Sequence, residues 1–541
     1  MATAVVPKLS PTVWQEEDLK QLLAQDCSAN WSQMGCYKTS TALWLTEGKT
    51  TTVDNPSVLI VTTRSGKGAY FRDIPRCMDR PWQVFNVKSD GVYLITLGTG
   101  SEIKVAKHLP DVINFPHIVV THYNTFSKSH LGKKDWCPAC NGTGKVSIDY
   151  LDQKAKCEMC QGTRRIPKEL RLCDYIMRKE WDVLILDEAH RIKNGDTKWT
   201  GNLKKIQAKT KHIMTGSGFV NRPDEIWSLF NFLDKGTFKS YSAFRDEFCA
   251  IDNWSGYATI VGLNPYKVDK FKRIRKEFGP RRTKPECFPN LTEPIIEDIY
   301  VDLNPTQRRM YNEIRSQLML MDQKGEPLHS PNVLSQLTRM RQIATATPDV
   351  IADFYDNAEQ RRIVKIQLIE PSTKLDALME VIEGLEWDDE DKQQIVVFSN
   401  FNDPLTMLQK RLDKAGVGWV RLLQKDGDQE RYHKWSTFPE KKAQVFLSTI
   451  KLGGESIDLT SAQYVAFLDM DWAPANNDQA IARVWRPGYD AANNGAPVVI
   501  RLFASDTVDK YVLDTNEMKG AWFKTIFHDD DPADTGVPFT L

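Results

Sequence analysis

Two sets of short apolar runs, separated by a long gap and interleaved with helical periodicity, predict an α/β protein of two doubly wound parallel-sheet domains. The first set is residues 57–63 (SVLIVTT), 117–121 (HIVVT), 182–186 (DVLIL) and 212–215 (HIMT). The second is residues 394–399 (QIVVFS), 443–449 (AQVFLST), 464–470 (YVAFLDM) and 497–503 (PVVIRLF). Runs this short, rich in Val and Ile and bounded by polar or turn residues, read as strands buried on both faces. Helical patterns lie between them, such as residues 404–415, where Leu405, Leu408 and Leu412 share one face. A chain of 541 residues exceeds one domain and has length for two cores.

The gap between the sets contains a charge-rich stretch, about residues 304–368, with helical patterns such as 306–318 and few strand candidates. It reads as a helical insertion. The domain boundary is placed at Gly279-Pro280, giving domains 1–279 and 280–541. The acidic run 529–534 reads as a frayed terminus. Hydrophobic residues at 41% and charged residues at 26% exclude wholesale disorder. Lys+Arg 71 against Asp+Glu 71 excludes coating of nucleic acid or membrane by bulk charge, so an anionic partner has to be met by local patches. No stretch has the roughly 18 continuous apolar residues of a membrane helix, and the start has no basic flank leading into an apolar core. Ten cysteines, four of them in two tight pairs, favour a reducing compartment and a metal site over a disulfide framework. No membrane partner and a cytoplasmic location are therefore expected.

Near the N-terminus the chain reads NWSQMGCYKTSTALWL, with Gly35, Lys38 and Thr39 just ahead of an apolar helical run. Such a loop presents backbone N–H groups to phosphate at a helix N-terminus, with Lys as a point charge and Thr as a hydroxyl for Mg²⁺. Tyr37 stands where the usual pattern has glycine. A residue with a Cβ can form that loop if its φ stays negative. Asp187-Glu188-Ala189-His190 follows the run WDVLIL. An acidic pair at the C-terminal end of a buried parallel strand faces the ligand crevice of such sheets. Asp187 can orient Mg²⁺ and Glu188 can polarise an attacking water.

Here the chain resembles the Swi/Snf-related ATPases of helicase superfamily 2. DEAHRIKN (187–194) is similar to that family's second motif, of DEAH type, and MTGSGFVNRPDEIWSLFNFL (214–233) to its third. STIKLGGESIDLTSAQYVAFLDMDWAPANNDQAIARVWRPGY (448–489) resembles the fifth and sixth motifs in order and spacing. FSNFNDPLTML (398–408) resembles the start of the second motor domain, and LNPTQRRMYNEI (303–314) the start of the insertion between motors. The resemblance implies two RecA-like domains with ATP and Mg²⁺ as cofactors. Lys38 and Thr39 would meet the phosphates and Mg²⁺, and Asp187 and Glu188 the metal and water. Gln15 falls where the family recognises adenine. Gln479, Arg483 and Arg486 fit the sixth motif, with both arginines facing the nucleotide, so that hydrolysis requires closure. Ser65, Lys67, Thr121, Ser399, Asn400, Thr449 and Lys451 are the implied contacts to a DNA backbone, duplex and sequence-independent. Gly218 replaces the family's usual proline and Tyr489 its glutamine. These departures point to a divergent member, of a bacterial or phage-infected cell, with the nucleus as the other location.

A basic run, Lys272, Arg273, Arg275, Lys276, Arg281, Arg282 and Lys284, is either a solvated helix face or a further DNA contact. Within the first domain, CPACNGTGK and CEMCQGTRR repeat C-x₂-C with sixteen residues between Cys140 and Cys157. Cys137, Cys140, Cys157 and Cys160 suit a closed tetrahedral structural Zn²⁺ site, and Gly142 and Gly162 follow each pair at the same offset. The repeats resemble half of the zinc domain of DnaJ-type chaperones. This insertion, residues 131–168, carries basic residues available to DNA or to a protein partner.

The expected function is an ATP-driven DNA motor, a DNA-stimulated ATPase that translocates or separates strands. The alternatives are a nucleotide-gated binding protein with weak or no turnover because Tyr37 replaces the glycine, and a partner-recruiting zinc module with the ATPase modulating it.

Overall fold

The computed structural model describes residues 7–527 except 111–112, 142, 144, 148–153, 162, 220, 253–258, 324–330, 357–360, 388–391, 455–456 and 490–494. Gly142, Gly162 and the acidic run 529–534 lie outside the described residues. The chain forms two compact units. The first comprises Met1–Asn30, Thr39–Thr215 and Trp227–Lys239, and the second Trp31–Lys38, Gly216–Ile226 and Ser240–Leu541.

The first unit is built on an eight-stranded sheet. Its order is Cys27–Asn30, Ala208–Met214, Trp181–Asp187, Ser57–Thr62, His117–His122, Gln83–Lys88, Gly91–Ile95 and Glu102–Ala106. The first six strands pair in parallel and the last two add antiparallel. The four apolar runs of the sequence form the centre, in register as Val183↔Val58↔Ile118 and Ile185↔Ile60↔Val120. These side chains are fully buried and pack with Leu43, Leu45, Tyr70 and Ile74 from the flanking helices Lys38–Lys49 and Lys67–Cys77.

A six-stranded, wholly parallel sheet organises the second unit, in the order Ile295–Val301, Val498–Ala504, Tyr464–Phe467, Ile395–Ser399, Val445–Thr449, Trp419–Arg421. The helix Asn402–Ala415 packs Leu405, Leu408 and Leu412 onto one face of this sheet and ends at Gly416, whose φ of +70° suits a left-handed cap. Two doubly wound parallel-sheet domains are thus present.

The stretch read as a helical insertion is only half helical. Helices Pro305–Gln323 and Pro331–Thr345 are followed by the antiparallel pair Thr347–Asp356 and Arg361–Ile369. Alternation in Val364-Lys365-Ile366-Gln367-Leu368 is the period-2 signal that specifies it. Within the cysteine insertion two small ribbons form, Lys134–Trp136 with Arg165–Pro167 and Lys145–Ser147 with Lys154–Lys156. Among the described residues no helix is long and apolar enough to cross a membrane.

Candidate functional site

Segment 31–38 belongs to the second unit and is braced by residues 280–284. Trp31 N–H donates to Pro280 O (2.9 Å), Gln33 N–H to Arg282 O (2.8 Å) and Arg282 N–H to Ser32 Oγ (3.1 Å). The Arg281 guanidinium donates to Trp31 O at 3.0 Å, and the fully buried Trp31 indole donates to Arg275 O at 3.2 Å. Three residues of the basic run are therefore structural here: Arg275 is buried, and Arg281 and Arg282 hold segment 31–33. Lys38 is buried and directs Nζ at the carbonyls of Ser32 and Gln33, both at 2.9 Å. Gly35 has φ +88°, and a Cβ there would lie 3.8 Å from Arg486 Cβ. Tyr37 has φ +42°, so the negative φ that would have made it harmless is not adopted. Its ring meets Phe288 edge-on with centroids 5.2 Å apart.

Lys284 was not singled out as a nucleotide-site residue from the sequence, where it reads as one more basic residue. It is 3% exposed, donates Nζ to Trp485 O at 2.6 Å and lies 3.9 Å from the Trp485 ring centroid. Its N–H donates to Gln33 Oε1 at 2.8 Å, and its Cε would be 3.3 Å from a Cβ on Gly35. Burial, with Arg486 and Arg483 pushing the same way, brings its ammonium down to about 7. Arg483 donates to Gly454 O, and Leu459 N–H donates to Arg483 O at 3.0 Å. Arg486 donates to Ile457 O at 3.3 Å with Asp458 Oδ2 at 3.9 Å. Gln479 is half-buried on the helix Pro474–Ile481, its Oε1 3.7 Å from where a Gly454 Cβ would be. Lys38, Arg483 and Arg486 thus all belong to the second unit.

In the first unit, Asp187 ends the strand Trp181–Asp187. Its Oδ2 accepts from Thr62 Oγ1 at 2.8 Å, Oδ1 accepts from Glu188 N–H at 3.1 Å, and its carbonyl accepts from Tyr123 OH at 2.6 Å. Glu188 adopts φ +52°, a left-handed turn that breaks the strand at the acidic pair. Its Oε2 lies 3.4 Å from His190 Nδ1, which is also 3.4 Å from Thr215 Oγ1. Beside the pair, Tyr70 and Tyr123 are buried phenols. Burial and the charges of Asp187 and Glu188 raise both well above the ordinary range, keeping them neutral. Thr39 is half-buried in the first turn of Lys38–Lys49. Gln15 is buried, accepts from Thr12 N–H at 3.1 Å and donates to Ser40 Oγ (3.3 Å) and Thr41 Oγ1 (3.0 Å).

The DNA-contact candidates divide by exposure. Lys67 turns inward: it is 7% exposed and donates Nζ to Asn86 Oδ1 (2.9 Å) and Val87 O (3.1 Å). Thr121 is buried against Thr125, while Ser65 is half-buried beside Thr63. Ser399 and Asn400 are both organised by Asp469. Ser399 Oγ donates to it, Asn400 Nδ2 donates at 2.7 Å, and the buried Arg341 donates at 3.2 Å. Asp469 was missed because a single acid inside an apolar run carries no pattern. Thr449 precedes the short helix Ile450–Gly453, on which Lys451 is exposed.

All four insertion cysteines are buried, and their sulfurs lie within 4.8 Å of one another. Cys137 and Cys157 sulfurs are 3.7 Å apart, as are those of Cys140 and Cys160. Zn–S bonds of about 2.3 Å in a tetrahedron place sulfurs about 3.8 Å apart, so the set fits zinc. Each pair turns through a left-handed residue, Asn141 at φ +47° and Gln161 at +46°, and Thr143 and Thr163 close the knuckles on Cys140 O and Cys160 O, both at 2.9 Å.

Residues 87–348 match the family model described as the SNF2-related domain, and residues 373–488 that of the helicase conserved C-terminal domain. The chain thus carries an SNF2-related domain followed by a helicase conserved C-terminal domain. Among curated relatives, TATA-binding protein-associated factor BTAF1 of Arabidopsis thaliana is 26% identical over 408 residues, 66% of this chain and 19% of that protein. Chromodomain-helicase-DNA-binding protein 1-like of Danio rerio is 27% identical over 374 residues, 67% of this chain and 34% of that one. An uncharacterized ATP-dependent helicase of Mycoplasma genitalium is 24% identical over 361 residues, 66% of this chain and 32% of its own length. The chain thus spans about a fifth to a third of these relatives. The solved Sulfolobus solfataricus SWI2/SNF2 ATPase core in complex with dsDNA aligns over 98% of this chain and 94% of its own at 20% identity, with a TM-score of 0.37, too loose to place any residue.

Proposed function

We propose that this chain is an ATP-driven DNA translocase with motor domains 1–279 and 280–541, acting on duplex DNA without sequence preference. The observation that carries the reading is the strand-end acidic pair of the first unit, with Asp187 oriented by Thr62 and Glu188 set in a left-handed turn; within the second unit, a braced loop carries Lys38. In this reading Lys38 releases the Ser32 and Gln33 carbonyls to take phosphate oxygens. Asp187 and Thr39 would hold Mg²⁺, which would supply charge neutralisation at the phosphates, and the fit rests on a buried carboxylate oriented by Thr62. Glu188 positions the attacking water, with His190 fixing its carboxylate. Arg483 and Arg486 stabilise charge on the transferring group, a role worth about 10³–10⁵ in rate in other NTPases. Gln479 supports that helix, and Gln15 keys the adenine end through the phosphate-loop helix.

Phosphate contacts need hydroxyls, amides and lysines at strand ends. Ser65, Thr121, Ser399, Asn400, Thr449 and Lys451 are assigned to the DNA backbone, with Lys67 supporting the Ser65 turn from within. Relatives named for chromodomain-helicase-DNA binding support a DNA track. The four cysteines hold one structural Zn²⁺.

ATP turnover by wild type, Lys38→Ala and Glu188→Gln, with and without duplex DNA, tests the motor. Wild type should be stimulated by DNA and both variants should fall at least about a hundredfold. Wild-type turnover that ignores DNA would sink the reading. Displacement of a triplex strand without unwinding of a forked duplex distinguishes translocation from strand separation.

A further inference from the structure

Metal ligation leaves the outer surface of the cysteine insertion unexplained. Its core is the four sulfurs with Val146 and Ile166 against them, and Trp136 is not in it. Trp136 is 61% exposed, although it directly precedes Cys137 and sits on the ribbon strand Lys134–Trp136. Its register partner across the ribbon is Arg165, whose guanidinium carbon lies 4.3 Å from the ring centroid. One indole face is thus backed by a cation and the other is open. The bond from Cys137 N–H to Arg164 O, 3.0 Å, ties this pair to the sulfur cluster.

The insertion also exposes charge on both of its ribbons. Lys133, Lys134, Lys145, Lys156, Arg164 and Arg165 are exposed, and the one ion pair among the described residues of the insertion is Lys168–Asp135 at 3.2 Å. Residues 131–168 hold eight Lys and Arg against four Asp and Glu, in a chain whose totals balance at 71 and 71. A zinc tetrathiolate carries two negative charges, which halves the surplus of four and leaves the insertion basic.

We propose that this insertion binds an unpaired nucleic-acid strand, with a base stacked on the open face of Trp136 and phosphates on Lys134, Lys145 and Arg164. Bases of any identity stack on an indole, and a basic rim tracks the backbone. An acidic protein segment would also meet the charge, but the electron-rich face of an indole repels carboxylates and gives them nothing to stack. The inference adds a second nucleic-acid surface to the proposed duplex track and does not depend on ATP turnover.

Anisotropy titration of a labelled oligo-thymidine strand with the full-length, zinc-loaded protein tests it. Trp136→Ala should weaken binding about tenfold, and Trp136→Phe should stay within about threefold of wild type because a stacking face remains. Lys134→Glu with Arg164→Glu should weaken binding and flatten its salt dependence. Bound zinc and DNA-free ATP turnover, measured on every variant, separate lost stacking from lost folding. Trp136→Leu serves where Trp136→Ala loses zinc, since it keeps apolar bulk without a ring. Wild-type affinity in a zinc-loaded Trp136→Ala or Trp136→Leu, or in the Lys134→Glu, Arg164→Glu double variant, overturns the proposal, as does tighter binding of polyglutamate than of oligo-thymidine. A wild type that binds the strand but hydrolyses no ATP would sink the translocase reading alone.

Discussion

Tyr37 and Lys284 show how much chemistry single side chains add to a recognisable loop. A non-glycine residue at Tyr37's φ of +42° costs about 1–2 kcal/mol, offset in part by the Phe288 contact. Tyr37→Gly removes the strain and the contact together, so stability should change by less than about 1 kcal/mol. The loop amides are freed to follow the phosphates, and KM for ATP should fall severalfold in steady-state assays; an unchanged KM would show the strain to be irrelevant to binding. Lys284 is the opposite case, a cation held beside Arg483 and Arg486 with its ammonium brought down to about 7 by burial. Lys284→Met keeps the packing and removes that cost. Thermal melts at neutral pH should show a gain of roughly 1–3 kcal/mol while ATP turnover drops, because the tie from the Gly35 loop to Trp485 is gone. A variant that gains no stability would mean that the Trp485 carbonyl bond outweighs desolvation.

Elements were legible where burial is two-sided and illegible where it is not. The eight apolar runs became strands because a parallel strand covered on both faces has to be apolar throughout. Gln83–Lys88 and Glu102–Ala106 escaped notice because polar residues interrupt their apolar pattern, and the latter is almost wholly exposed. The brace at 280–284 was read as part of a basic patch, since its pairing with 31–33 spans about 250 residues of sequence separation and leaves no local period. The C-x₂-C pairs, by contrast, were legible as a cluster, because two such pairs can bring four sulfurs together on two tight turns. Chelation should release one Zn²⁺ per chain and open the insertion to proteolysis within residues 131–168, leaving the eight-stranded sheet intact; mass spectrometry of the fragments checks this. That sheet has its own acid limit. Burial pushes His117 down to about 4 and His212 to about 3, both below the ordinary value near 6.5. The native state therefore holds them neutral while the unfolded chain takes up protons first. Their contribution is intact above about pH 7 and is lost as pH falls, by up to about 2 kcal/mol each at pH 5. Urea midpoints at the two pH values should show this loss, and His117→Asn with His212→Asn should flatten it.

At the scale of the whole molecule, sequence-distant parts of the second unit meet at the end of its last helix, Val508–Phe527. Phe527 is 1% exposed, lies 5.7 Å from the ring of Trp31 and stacks on Phe523 at 4.5 Å. Arg275 and Arg281 sit over its ring at 5.7 and 5.4 Å. Gly218, at the third motif, closes the cluster: a Cβ there would come within 2.2 Å of Phe527 Cζ. This supplies a physical reason for glycine where the resembling family has proline, since the ring of Phe527 occupies the space. Trp31, Gly218, Arg275 and Arg281 therefore converge on one buried ring, and none of this could be read from local sequence. Phe527→Ala should cost about 3–5 kcal/mol as a buried aromatic lost to a cavity. Gly218→Ala should cost about 1–3 kcal/mol through overpacking. The double variant should be less destabilised than the sum, because the cavity admits the added methyl, with a coupling of about 1–2 kcal/mol. Denaturant titrations of the four proteins measure that coupling. Additive losses would mean that Gly218 and Phe527 are stabilised by separate surroundings, and the third motif would then owe its position to the sheet alone.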